Sequence, residues 1–192
     1  MLALAVAVAG LVLREVWQAF RARREQRARD RAILSALLRE LSVIAGTVLS
    51  VTQAMNREHE LLTTQERWSL KPLLRFPTST YDLVKPGIPS GLLKQERAVP
   101  TLVLLQAQCE YANALAQEYQ RWKTPEARGQ PDQVETIWSF HGSVHEAVTL
   151  VANRCNDLTE FVRAAGEAVG GLNLEGPPQR RSRLGRILRR AA

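Results

Sequence analysis

Cysteine is scarce in this chain, with only Cys109 and Cys155 among 192 residues. That excludes a small secreted scaffold held together by disulfides. Eleven glycines and nine prolines are too few for a fibrous or low-complexity protein. Proline is missing altogether from Met1 to Lys71, so nothing in that stretch forces a helix to stop. Charge is missing from Met1 to Leu13. Strand-like alternation is missing over more than a few residues, which argues against a sheet. The signatures of catalysis are missing too. There is no G-x-x-x-x-G-K, no G-x-G-x-x-G, no G-x-S-x-G elbow and no Glu-x-x-His, so a phosphate loop, a dinucleotide fold, a serine-hydrolase elbow and a ferritin-like di-iron site are not expected. No catalytic, cofactor-binding or metal-binding residue is assigned on these grounds, and an enzyme is not expected.

What is present is 45% hydrophobic residues and a net charge of +7. That apolar fraction can bury the core of one ordinary domain. The positive charge is concentrated in two short segments. From Arg14 to Arg31, seven arginines face three acids, a net +4; from Arg180 to Ala192, six arginines face none, a net +6; the remainder carries −3. Two basic flanks on a mildly acidic body suit an anionic membrane surface better than a duplex, because nucleic-acid binders more often carry their charge on a folded face.

The uncharged run MLALAVAVAGLVL covers about 20 Å as a helix, and extension to Phe20 brings it to about 30 Å, the thickness of a hydrocarbon core. Arg14 would snorkel, and Trp17 and Phe20 suit the interfacial aromatic belt. A signal peptide is disfavoured because the basic residues follow the apolar run instead of preceding it. A helix lying flat at the interface lacks a polar face, and a helix buried in a soluble core leaves the arginines unexplained. The expectation is a transmembrane anchor over 1–20 and an Arg-rich stem over 21–32. With every basic residue after the span, the amino terminus faces outward and the rest lies in the cytoplasm, where both cysteines stay reduced. Arg14, Arg21, Arg23, Arg24, Arg27, Trp17 and Phe20 are the expected membrane-surface contacts.

Beyond the stem the pattern is helical. Apolar residues recur at Ile33, Leu37, Leu41, Ile44, Val48 and Val51, at Leu102, Leu105, Cys109, Ala112, Leu115, Tyr119 and Trp122, and at Val134, Ile137, His141, Val144, Val148, Val151, Cys155, Leu158 and Val162. Spacings of three and four mark one buried face on each helix. The first helix is expected to run on from the anchor without a break. The expected fold is all-α: a membrane-anchor helix continuing into an antiparallel bundle of three long helices over 33–172. A proline-rich connection over 63–100 leaves room for a short fourth helix around Gln65 to Leu74, with Trp68, Phe76 and Tyr81 packing back onto the bundle. Pro131 suits the opening of the last helix and Gly170-Gly171 its end.

His141 and His145, one turn apart, have the spacing of helical metal ligands, but the sequence HGSVH lacks the Glu of a zinc protease and His59 is distant in the chain. A hydrogen-bonded core histidine is the expectation. Cys155 has no placed base and reads as a buried thiol. Gly142-Ser143 would permit close helix approach. The tail over 173–192 follows Gly176-Pro177-Pro178 and carries Arg180, Arg181, Arg183, Arg186, Arg189 and Arg190 around Leu184, Ile187 and Leu188, a basic amphipathic pattern suited to lipid or to an acidic partner. The sequence therefore points to a membrane-tethered protein that binds or scaffolds, through a protein partner or by self-association. The competing expectation is a soluble helical protein that uses its arginine flanks on nucleic acid.

Overall fold

The computed structural model describes residues 2–65, 68–69, 71–85, 93, 97–124 and 132–168, with the side chains of 2–12 left aside. Among the described residues there are four helices: α1 (Leu2–Gln65), α2 (Thr80–Val84), α3 (Ala98–Trp122) and α4 (Gln133–Ala168). The described residues contain no strand. The fold is all-α, a bundle of three long helices.

α1 is continuous over 64 residues, about 96 Å. It has no internal proline, and Ser42, Thr47, Ser50, Thr63 and Thr64 return their hydroxyls to the backbone one turn back, as in Ser42 to Leu38 O and Thr47 to Val43 O. Burial begins at Leu34. From there Leu37, Leu41, Ile44, Val48, Val51, Met55 and Leu62 face the core, each at most 4% exposed. Leu102, Leu105, Cys109, Ala112 and Tyr119 of α3, and Ile137 to Val162 of α4, supply the other two walls. Each such Leu or Ile contributes roughly 1.5–3 kcal/mol by leaving water.

Two hydrogen bonds set the register of α1 and α4: His141 Nε2 to Met55 O at 3.0 Å, and Cys155 Sγ to Leu41 O at 3.5 Å. As α4 advances, its partners on α1 recede, so the two helices are antiparallel. α3 pairs differently. Lys123, just past its end, meets Glu58 of α1, and Cys109 lies near Cys155 and Glu40. Hence α3 runs alongside α1 in the same direction, and α4 is antiparallel to both.

The proline-rich connection makes that arrangement feasible by carrying the chain back along the bundle. Trp68 Nε1 donates to Lys123 O, Gln120 Nε2 to Lys71 O, and Phe76 N to Asn113 Oδ1 while Asn113 Nδ2 donates back to Phe76 O; Tyr81 N donates to Gln106 Oε1. Gln106, Asn113 and Gln120 stand seven residues apart on one line of α3, and their amides hold an otherwise unpaired backbone. Phe76 is buried at 5% exposure, and Trp68 and Tyr81 pack against the core.

Three expectations are corrected. The short helix lies at Thr80–Val84 instead of around Gln65 to Leu74, because Trp68, Ser69 and Phe76 give their polar groups to other helices. Val134 is 49% exposed; Gln133 takes the inner place and donates to Trp122 O at 2.8 Å, satisfying a carbonyl at the end of α3. Gly142 mediates no close approach, since a Cβ there would meet nothing within 4 Å. Pro131, Gly170-Gly171 and the tail over 173–192 lie outside the described residues.

Candidate functional site

Two regions carry the side chains that matter. The first is the part of α1 before the core. From Leu13 to Arg29 every residue is exposed, so this length of helix stands clear of the bundle. Trp17 and Phe20, one turn apart, stack at 6.4 Å between ring centroids and are 69% and 60% exposed; Leu13 and Val16 beside them are 69% and 61% exposed. Together Leu13, Val16, Trp17 and Phe20 make an exposed apolar cluster along one face of the helix. Arg14, Arg21, Arg23, Arg24 and Arg27 lie among and after them, all exposed. Arg21 Nε donates to Glu25 Oε1 at 3.0 Å and Gln26 Nε2 to Asp30 Oδ1 at 2.9 Å. These one-turn pairs support the helix by a few tenths of a kcal/mol.

By length and hydropathy α1 qualifies to cross a membrane. The 18-residue window that qualifies, with a mean hydropathy of 1.7 and 39% of it buried, lies beyond Arg31 in the bundle's own part of α1, because every earlier window from Leu13 carries more than two charges. The buried share of this stretch is the bundle's own face from Leu34 onward. The apolar side chains left uncovered ahead of it are Leu13, Val16, Trp17 and Phe20. The six tail arginines, Arg180 to Arg190, lie outside the described residues.

The second region closes the far end of the bundle. Glu58 and Lys123 form an ion pair at 2.9 Å with side chains 4% and 1% exposed. The same Glu58 oxygen accepts Ser69 N–H at 3.0 Å, and the Lys123 ammonium sits 4.4 Å above the Tyr119 ring. Burial pushes the Lys123 ammonium below its ordinary range, with Glu58 opposing that shift. The Tyr119 hydroxyl is buried beside the Glu58 carboxylate. Burial, then the negative carboxylate, raises its pKa well above the ordinary phenol value, so it keeps its proton. This cluster joins α1, α3 and the returning connection, and its chemistry is that of a clasp.

His141 lies beside the clasp, 7% exposed. Burial lowers its pKa below the ordinary 6.5, and the Met55 carbonyl partly opposes the shift. The fold brings His59 to it despite their separation in sequence, with ring centroids 5.6 Å apart and Trp138 edge-on to both. Among the described residues no three His, Cys, Asp or Glu side chains converge in a way that could hold a metal ion. Cys109 and Cys155 are free and buried, and burial pushes both thiols up to about 12. At neutral pH neither is a thiolate, which is the form that attacks or ligates.

Two features escape a reading by apolar spacing. Glu58 occupies a core position between Met55 and Leu62, at intervals of three and four. A charge interrupting such a stripe is the sign that a buried cation must meet it. The Gln106–Asn113–Gln120 line is visible only as a heptad of amides beside the apolar one. The chain matches no protein-family model, no curated protein and no solved structure.

Proposed function

We propose that this protein is a single-pass, membrane-tethered helical bundle that acts by binding or scaffolding, with its first 20 residues across the bilayer, its amino terminus outside and its bundle in the cytoplasm. The observation that carries this reading is the exposed apolar cluster Leu13–Val16–Trp17–Phe20 on a helix that continues without a break into the core. The uncharged run before it is the natural continuation of that surface into lipid, and the arginines after it favour retention on the cytoplasmic side. The bundle offers anchoring and shape instead of reactive groups: its thiols are protonated and its buried charges are paired with one another. Its partners on this reading are the anionic leaflet and a protein or second copy.

Fractionation of the full-length, carboxy-terminally tagged protein tests this. The protein should sediment with membranes at physiological salt, stay there in high salt and alkaline carbonate, and dissolve only in detergent. Recovery in the soluble fraction at physiological salt overturns the tether. Release by high salt alone indicates attachment through the arginines, as to an anionic surface or nucleic acid, and also overturns the spanning helix.

A further inference from the structure

We propose that the three histidines of this chain form an acid-operated latch, which keeps the far end of the bundle closed at neutral pH and opens that end alone in mild acid. The latch is independent of the membrane-tethered reading. The chain has only three histidines, His59, His141 and His145, and the fold brings all of them to one place. His141 is 7% exposed, and its Nε2 meets Met55 O at 3.0 Å. The His59 ring of α1 lies 5.6 Å from it, and Trp138 stands edge-on to both. His145 follows one turn later on α4 and acts on His141 electrostatically. The site is about 52 Å along α1 from Phe20, where α1 and α3 end and α4 begins. Three helix ends meeting there make this the part of the bundle most easily opened without the rest.

A carbonyl only accepts, so His141 Nε2 carries the hydrogen, and Nδ1 is the nitrogen that takes up a proton. The charge so formed is poorly placed. From α1 it faces Glu58 and His59, and from α4 His145. From α3 it faces the Tyr119 ring, over which the Lys123 ammonium lies. Trp68 and Ser69 of the connection bring no charge. Glu58 is the acid of this group, and it is already committed to Lys123 at 2.9 Å and to Ser69 N–H at 3.0 Å. Protonation of the histidines therefore makes a neutral cluster strongly positive around a buried ring. The packed end suits the neutral imidazole and the opened end the charged one. Opening uncovers Met55, Leu62, Tyr119 and Ile137, each at most 4% exposed when closed. In the half of the bundle nearer the stem, the buried titratable groups among the described residues are Cys109 and Cys155, whose thiols stay protonated in this range. Acid has no handle there.

The test is hydrogen exchange of the full chain in detergent, read by mass spectrometry at pH 7.5 and 5.5 and corrected for the intrinsic pH dependence of exchange. An imidazole that titrates at the ordinary 6.5 when exposed, and stays neutral when packed, favours the open form by up to about tenfold at pH 5.5. Peptides covering 55–62 and 133–141 should therefore lose protection by about that factor, while those covering 41–48 and 148–158 keep theirs. His141→Gln retains a donor for Met55 O and should abolish most of the difference between the two pH values. His59→Gln with His145→Gln, both at exposed positions, should reduce it and leave protection at pH 7.5 unchanged. Equal loss of protection in both halves is global unfolding and overturns the latch, and so does no loss in either. Opening of this end that survives His141→Gln belongs to another group and overturns it as well. A response untouched by the His59 and His145 substitutions overturns the three-histidine latch, and this surface pair decides alone where His141→Gln fails to fold.

Discussion

Residues 13–32 and 34–62 belong to one helix and draw on much the same helix-forming residues, yet they meet different surroundings. The second stretch presents Leu, Ile, Val and Met at intervals of three and four to two other helices and is dry along that face. The first carries Leu13, Val16, Trp17 and Phe20 along one face and arginines on several sides thereafter, and every residue from 13 to 29 is exposed. Helix propensity alone does not separate these two stretches. Burial does: the bundle covers one face of 34–62, while every residue from 13 to 29 is exposed.

The sharpest contrast between the two stretches is expected from substitutions of buried charge. Removing Lys123 alone, as Lys123→Met, strands the Glu58 carboxylate and should destabilise the bundle by roughly 3–5 kcal/mol in urea unfolding, whereas Glu58→Leu combined with Lys123→Met should recover most of that loss. If the single and double variants are equally unstable, the clasp is packing and not charge. Core truncation comes next. Ile44→Ala should cost roughly 2–5 kcal/mol, while Trp17→Ala or Arg23→Gln in the exposed stretch should change bundle stability by less than about 0.5 kcal/mol. A similar cost in both stretches would mean that the stem is packed after all.

Acid should act on the far end through His141. The pKa of His141 is lowered in the folded state by burial, so its unfolded form takes up the proton first. Stability is therefore full above the ordinary value of 6.5 and is lost as pH falls from there towards the depressed folded value. The charged and titratable neighbours in this response are Glu58 and His59 on α1 and His145 on α4 itself, with Tyr119 of α3 edge-on to the ring. Unfolding midpoints measured from pH 7.5 to 5 should fall for the natural chain and flatten for His141→Gln. A flat profile in both would remove His141 as the cause. The smallest effect is expected at Gly46 and Gly142, where an added Cβ meets open space. Alanine at either position should stabilise its helix by roughly 0.5–1 kcal/mol.

Much of the fold was legible in the spacing of apolar residues. All but the first of the nine positions expected on α4 are buried, as are Leu37, Leu41, Ile44, Val48 and Val51 on α1. Val134 escaped because a first turn answers to the carbonyls it must cap, and Gln133 met that need. The path from α1 to α3 was illegible because its bonds join backbone to side chains far along the chain, as Phe76 does with Asn113. Without that path the parallel run of α1 and α3 cannot be inferred. The clasp was hidden for the same reason: Glu58 and Lys123 are 65 residues apart, and spacing reports only neighbours on one helix.

The most direct measurement is protease digestion of sealed membrane vesicles carrying the full chain with a tag after Ala192. In inverted vesicles, whose cytoplasmic face is outward, protease should destroy the tag and the bundle and leave a short protected fragment from the amino terminus. In right-side-out vesicles the tag should survive until detergent is added. Digestion of the whole chain in inverted vesicles with no protected fragment, or survival of the tag there, would contradict a first helix that crosses the bilayer and holds the bundle inside.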